Sequence, residues 1–253
     1  YYTILAHKRL RALNVIVPAS SQTIGEEPEI PQLLDHIQRI LPPDVYTRIR
    51  PHLNKVFELQ QVNLRKYAGK EVDWIVSLVG DGSELFETKE TRDNALVFRY
   101  FLSRLYAAAG NYLQAIQWAS KLEATLKDRR NQHFSYTLET FPYRLDTLKY
   151  PLGYWNLITS YSIANNLDPF LLAAIIRQES AYDPEALSSA EAYGLMQILP
   201  KTGTRLAKTL NLKDFTTSQL YDPELNIKFG TTYFAELLEK YTGNLYRALA
   251  AYN

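Results

Sequence analysis

The stretch LDPFLLAAIIRQESAY, residues 167–182, constrains the fold more than any other part of the chain. Asp168 and Pro169 are typical of a helix start, because an Asp side chain caps free amides and proline tolerates the first helical position. Seven apolar residues follow, from Phe170 to Ile176. Such a long and uniform run does not suit a half-exposed helix, so the sequence predicts a helix buried in a core.

One acid, Glu179, lies near the end of this predicted helix. Ile176, Ile175 and Leu172 precede it by three, four and seven residues, so its carboxylate is expected on the apolar face. Desolvation and the negative end of the helix dipole both favour the neutral acid and raise its pKa. A carboxylic acid that stays protonated near neutral pH suits general-acid catalysis of glycoside cleavage. The spacing alone also allows a side chain that points off the helix end into water.

The composition excludes several classes of function. The chain has 28 basic and 27 acidic side chains, so there is no electrostatic case for binding nucleic acid or an anionic membrane. It has no cysteine, and its four histidines are scattered without metal-ligand spacing, so we expect neither a metal nor a cofactor. No apolar run approaches the length of a membrane span.

The remaining pattern predicts a mainly α protein, because almost nothing alternates with a period of two. Helical periodicity marks residues 1–13, 31–41, 45–67, 71–78 and, most clearly, 94–126. In the last range two apolar stripes flank a break at Gly110-Asn111, and small residues stand where the two helices would approach closely. The pair resembles a tetratricopeptide-type unit and indicates a helical solenoid.

The helical pattern lapses around residues 142–151, and we place a domain boundary near Leu148. This divides the chain into a solenoid-like region, residues 1–148, and a second domain, residues 149–253. In the second domain the pairs Asp168-Pro169, Asp183-Pro184 and Asp222-Pro223 predict three capped helix starts.

Four short motifs follow one another in the second domain: Tyr150-Pro151-Leu152, Arg177-Gln178-Glu179-Ser180, Gly194-Leu195-Met196-Gln197 and Ala251-Tyr252-Asn253. In this order and at these spacings they resemble the catalytic domain of soluble lytic transglycosylases of the SLT type. The upstream helical region is similar to the superhelical part of the larger members of that family. The resemblance implies a lysozyme-like fold with minor β structure. It also implies cleavage of the bond from N-acetylmuramic acid to N-acetylglucosamine in peptidoglycan.

The resemblance assigns the catalytic role to Glu179. This residue would protonate the glycosidic oxygen and then, as a carboxylate, accept the proton of the muramoyl 6-hydroxyl. That hydroxyl closes onto the anomeric carbon and gives a 1,6-anhydro product. The substrate's own N-acetyl group would assist the first step, so a second enzyme carboxylate is not required. The residues that match substrate-binding positions of the family are Ser188, Tyr193, Gly194, Met196, Gln197, Tyr252 and Asn253.

The chemistry of these positions suits sugar binding without requiring it. Gly194 lets the backbone approach a ligand closely, and Gln197 supplies a donor and an acceptor together. The Ser188 hydroxyl could hold the acetamido group of the substrate, although a turn serine explains it equally well. Tyr252, in reach of the catalytic region by the family pattern, would otherwise be a core aromatic.

Two features depart from the family pattern. Glu191 stands where the family usually has glycine, and if that position needs a positive backbone angle, the strain is about 1 kcal/mol. The sequence stops at Asn253, before the glycine-rich continuation of the family, so we expect a catalytic domain that is incomplete at its C-terminus. It begins at Tyr1 rather than Met, so any signal peptide would already be missing and its absence proves nothing. The resemblance implies a monomer in the periplasm or cell envelope that binds peptidoglycan glycan strands.

Two other functions are left open by the sequence. A muramidase or chitinase-like hydrolase on the same fold would need a second carboxylate to activate water, and Asp183 and Glu191 are the nearby candidates. A non-catalytic wall-binding scaffold would use the solenoid as its working part, because sites and not folds decide function.

Overall fold

The computed structural model describes residues 29–128 and 134–253. The chain divides into two compact units, the first up to Pro151 and the second from Leu152 to Asn253. Both units are helical, and the described residues contain only two isolated β-bridges, Leu187–Tyr193 and Tyr193–Ile198. The mainly α prediction is therefore confirmed, while the helix predicted over residues 1–13 lies outside the described residues. None of the described helices is long and apolar enough to cross a membrane.

The described part of the first unit contains α1 (Ile30–Ile40), α2 (Pro43–Gln61), α3 (Arg65–Val79), α4 (Arg92–Ala108), α5 (Tyr112–Lys127) and the short α6 (Asp146–Lys149). The prediction of one helix from Val45 to Tyr67 is wrong, because α2 and α3 are separate helices. Asn63 breaks the helix with a left-handed backbone, φ 58°, which asparagine tolerates better than most residues. The apolar pattern continues across this turn and does not reveal it.

The predicted helix pair over residues 94–126 is confirmed by α4 and α5, which pack against each other. Gly110 turns the chain with a φ of 74°, and the Asn111 side chain caps α5 by accepting a hydrogen bond from the Gln114 amide at 3.2 Å. The buried Ser103 hydroxyl donates to the Ala115 carbonyl at 2.8 Å. The helices α2 and α3 also pack against each other. A solenoid built from such pairs stays a prediction.

The second unit contains α7 (Trp155–Ala164), α8 (Pro169–Ser180), α9 (Pro200–Thr209), a 3₁₀-helix (Thr217–Tyr221), α10 (Pro223–Lys240) and α11 (Leu245–Tyr252). Two of the predicted Asp-Pro helix starts are confirmed. The Asp168 carboxylate accepts a hydrogen bond from the Phe170 amide at 3.0 Å, and the Asp222 carboxylate accepts one from the Leu225 amide at 2.8 Å. α8 is a core helix, and its buried apolar residues are Leu172, Ala173, Ile175 and Ile176.

The third helix start, at Asp183-Pro184, is wrong. The Asp183 carboxylate accepts a hydrogen bond from the Glu185 amide at 2.9 Å, as in a capped helix, but no helix follows. The chain extends instead, because Leu187 forms a β-bridge with Tyr193. An Asp-Pro pair specifies a turn with a satisfied amide, and the later pairing of the chain decides whether a helix grows from it.

Candidate active site

Glu179 lies in the last turn of α8, on the same side as the buried Ile175 and Ile176. Its side chain is half-buried, and this desolvation raises the pKa of the carboxyl group. The structure therefore supports the predicted apolar environment and the direction of the predicted pKa shift, with burial as its cause. α8 ends at Ser180, one residue later, because Ala181 and Tyr182 adopt left-handed backbone angles, φ 51° and 66°.

A tight hairpin, residues 193–198, lies beside the end of α8. The Tyr193 amide donates to the Ile198 carbonyl at 3.1 Å, and the Ile198 amide donates back to the Tyr193 carbonyl at 3.0 Å. Gly194 and Gln197 adopt left-handed angles, φ 73° and 50°, which let four residues close the loop. The motif Gly194-Leu195-Met196-Gln197 is therefore the loop of this hairpin.

Side chains from three helices bind the backbone of the 193–198 hairpin. Ser180 of α8 donates its hydroxyl to the Leu195 carbonyl at 2.8 Å. Asn226 of α10 accepts from the Met196 amide at 2.7 Å, and Tyr252 of α11 donates to the Met196 carbonyl at 2.8 Å. Because Ser180 follows Glu179 directly, these bonds fix the hairpin next to the acid.

The hairpin packs so closely against its neighbours that glycine is required at two positions, one in the hairpin and one on α10. A Cβ atom on Gly194 would lie 2.4 Å from the Leu220 carbonyl oxygen, and one on Gly230 would lie 2.3 Å from the sulfur of Met196. Met196 is fully buried against α10, so the structure places this predicted substrate-binding side chain in the core. Gly194 is buried too and serves the turn of the hairpin.

Tyr252 connects α11 to the 193–198 hairpin. Its ring is half-buried and packs on Tyr233 and Phe234, with ring centroids 5.5 Å and 5.8 Å apart. Burial raises the pKa of the Tyr252 hydroxyl well above its usual value, and the negative charge of Glu179 raises it further. The Glu179 carboxylate therefore acts on the Tyr252 hydroxyl electrostatically. A role for Tyr252 in substrate binding stays a prediction.

Two of the predicted binding residues use their polar atoms within the protein. The Gln197 side-chain amide donates to the Gly194 carbonyl at 2.9 Å and to the Ala186 carbonyl at 3.3 Å. The Ser188 hydroxyl oxygen accepts a hydrogen bond from the Ala192 amide at 3.0 Å, so the turn interpretation of this serine applies. Both side chains are half-buried and keep some access to solvent.

The other predicted positions lie around the same hairpin or at the chain end. Tyr193 packs edge-on against Tyr221, with ring centroids 5.2 Å apart. Asn253 is exposed, and its backbone amide donates to the Leu249 carbonyl at 3.2 Å. Glu191 is exposed in the turn closed by Ser188 and has the positive backbone angle, φ 59°, that the glycine of the family pattern suggested.

The sequence analysis missed Asn226. This residue is fully buried, and its side-chain amide also donates to the carbonyls of Tyr193 and Leu220 at 2.8 Å and 2.7 Å. The sequence could have pointed to Asn226, because it lies next to Ile227 on the buried side of α10. A buried side-chain amide needs hydrogen-bond partners.

No group of His, Asp and Glu in the described residues is arranged to hold a metal ion.

Comparison with known proteins identifies the second unit. The family model for the Transglycosylase SLT domain matches residues 156–253. Residues 156–253 are therefore similar to an SLT domain, and we call them the SLT domain below. The sequence resemblance to SLT-type lytic transglycosylases is confirmed, and the Glu179 helix, the hairpin and Tyr252 all fall inside the matched residues.

The upstream residues extend the similarity. The soluble lytic murein transglycosylase of Escherichia coli K12 is 28% identical and aligns with 98% of this chain, which covers 33% of that protein. The Salmonella typhimurium relative is 29% identical over 80% of this chain and 26% of its own length. Among solved structures, the 70 kDa soluble lytic transglycosylase from E. coli matches with a TM-score of 0.54 and 27% identity, over 84% of this chain and 30% of that one. The chain thus spans about a third or less of these relatives.

The packing at Gly194 generates a prediction for the SLT domain. Gly194→Ala adds both a left-handed backbone penalty and a clash with a backbone oxygen, so we expect the free energy of unfolding to fall by roughly 2–5 kcal/mol. The matched control is Gly243→Ala, where φ is 77° but no atom lies within 4 Å of the added Cβ. It should cost only about 1–2 kcal/mol. Urea unfolding of both variants measures the difference, and equal losses would contradict the described packing.

The burial of Glu179 predicts how stability depends on pH. Its folded-state pKa is raised, so the folded state holds this proton more tightly than the unfolded state does. The stability of the parent relative to Glu179→Gln should be greatest below pH 4.5, the ordinary pKa, and should fall as the pH rises through the raised pKa. Urea unfolding at a series of pH values tests this. The control is the exposed Glu239→Gln, and the same trend in both variants would contradict the burial of Glu179.

Proposed function

We propose that this chain is the catalytic part of a lytic transglycosylase that cleaves peptidoglycan. The SLT domain and the lytic murein transglycosylases among its relatives support the reaction class. The observation that carries the proposal is the environment of Glu179, a half-buried acid with a raised pKa beside the hairpin and Tyr252. A protonated acid that is held in place is the group that a glycosidic oxygen needs in order to leave.

Glu179 acts twice in the proposed reaction. As an acid it donates its proton to the oxygen of the bond between N-acetylmuramic acid and N-acetylglucosamine, and that oxygen departs with the N-acetylglucosamine. The substrate's acetamido group supports the positive charge at the anomeric carbon. As a carboxylate, Glu179 then accepts the proton of the muramoyl 6-hydroxyl, whose oxygen bonds to that carbon. The product is a 1,6-anhydromuramoyl end, and Glu179 regains its proton.

The polar atoms left over at the hairpin support roles in substrate binding. The amide nitrogen of Gln197 serves the backbone, so its amide oxygen is the atom offered to a sugar hydroxyl. The Ser188 oxygen accepts from the Ala192 amide, so its hydroxyl proton is the atom offered to the substrate's acetamido oxygen. Tyr193 and Tyr252 would contact the sugars with their rings, and Asn253 stays a candidate at the end of α11.

We place the protein in the periplasm or cell envelope, with glycan strands of peptidoglycan as its partner. This location is supported by relatives named soluble and membrane-bound lytic murein transglycosylases. A monomeric state stays a prediction.

Replacing the acid tests the proposed enzyme. In the full-length protein, Glu179→Gln keeps the shape of the side chain but cannot donate the proton, so we expect lysis of purified sacculi to slow by roughly 10²–10⁴-fold. Glu185→Gln, in the exposed turn that follows α8, is the matched control and should lyse like the parent. Turbidity loss of the sacculi measures the rate. If Glu179→Gln lyses as fast as the parent, Glu179 is not the acid.

The products separate the proposed reaction from its rivals. Mass spectrometry of the digest should show 1,6-anhydromuramoyl ends, because the 6-hydroxyl and not water attacks the anomeric carbon. Reducing muramic acid ends would instead indicate a hydrolase that uses a second carboxylate, such as Asp183 or Glu191. A parent protein that binds sacculi without releasing any fragment would indicate a scaffold.

A further inference from the structure

Asn226 is an amide with all of its polar groups bound to backbone atoms. Its side chain is fully buried in α10. Its nitrogen donates to the Tyr193 carbonyl at 2.8 Å and to the Leu220 carbonyl at 2.7 Å, while its oxygen accepts from the Met196 amide at 2.7 Å. Three hydrogen bonds in a buried setting define one position for the hairpin, because a shift would leave several polar groups without partners.

The bonds of Asn226 reach the catalytic region through a single residue, Met196. Asn226 of α10 accepts a hydrogen bond from the Met196 amide, and Tyr252 of α11 donates one to the Met196 carbonyl. Both helices therefore bind the backbone of the same residue. On the same loop the Leu195 carbonyl is held by Ser180, the neighbour of Glu179. A displacement of Met196 would therefore move Tyr252 relative to the end of α8.

The chemistry at this position requires an amide. An aspartate has nearly the same shape, but it would turn a carboxylate oxygen towards the Tyr193 and Leu220 carbonyls and could not donate to both. A serine is too short to span three partners. The left-handed Gly194 lies against the same amide, since a Cβ there would come within 2.5 Å of the Asn226 nitrogen. Gly194 and Asn226 therefore pack directly against each other.

We propose that Asn226 is a positioning residue for the cleavage reaction. It holds the 193–198 hairpin in place and, through Met196, keeps Tyr252 beside Glu179. Asn226 touches no substrate itself. The inference rests on the proposed function, because its effect is on the same reaction.

The test uses the full-length protein with Asn226→Ser and Asn226→Asp, assayed on soluble glycan strands. We expect kcat/KM to fall roughly 10–100-fold, the scale of a small misplacement of catalytic groups. The alkaline limb of the pH profile should also move to lower pH. A displaced hairpin admits water to Glu179, so its carboxyl group ionises more easily. A loss of stability alone would lower the amount of active protein without moving this limb.

The matched control is Thr231→Val on the same helix. Thr231 is fully buried, and its hydroxyl has no hydrogen-bond partner among the described residues, so valine of equal shape should leave the rate and the pH profile unchanged. A double variant that combines an Asn226 substitution with Tyr252→Phe gives a second measurement of kcat/KM. If Asn226 acts through Met196 and Tyr252, the two losses should be less than additive.

Several outcomes would overturn the inference. Parent-like kcat/KM in a folded Asn226 variant would do so. A reduced rate would also overturn it if the alkaline limb of the pH profile did not move and the losses of kcat/KM in the double variant were additive. Failure of both variants to fold, while Thr231→Val folds, would show that Asn226 holds the whole domain and not only the hairpin. An inactive parent would refute the proposed function itself, which is a separate result from any difference between active variants.

Discussion

Hydrogen bonds from side chains to the backbone of the 193–198 hairpin hold the candidate site together. Buried backbone groups need partners, and within the described residues the hairpin has only single bridges and no sheet to supply them. Helices use their own backbone groups internally, so the partners must be side chains. Ser180, Asn226 and Tyr252 meet this need from three helices. The position of the loop therefore depends on how those helices pack.

The same packing sets the electrostatics of Glu179. The core of α8 takes the acid partly out of water, which costs free energy for the ionised form and raises the pKa. Tyr252 adds a hydroxyl group whose pKa is raised mainly by burial and further by the nearby charge of Glu179. A domain selected only for stability would gain nothing from a half-buried acid. Its position is understandable if a proton must be held and then given away.

Part of this arrangement follows from the sequence. An Asp-Pro start followed by a long apolar run specified α8, and simple helical spacing placed Glu179 on its buried side. The positive angle of Glu191 followed from the family's glycine at that position. The features of α8 depend on neighbours within a few residues, so local rules are enough for them, whereas the angle of Glu191 needed the family pattern.

Other features needed the folded chain. Asp183-Pro184 has the same local chemistry as Asp168-Pro169, yet it makes a turn because Leu187 pairs with Tyr193. The break at Asn63 is hidden by an apolar pattern that continues across it. Asn226 lies 30 residues from Met196, and no local rule connects the two. Long-range hydrogen bonds of this kind carry no periodic signal in the sequence.

The central claim is that burial keeps the Glu179 carboxyl group protonated at pH values at which an ordinary glutamate is already ionised. The direct measurement is an NMR titration of its carboxyl carbon in the full-length protein without substrate. The account predicts a midpoint above the ordinary value of 4.5. A midpoint at or below 4.5 would show a solvated acid and would contradict it.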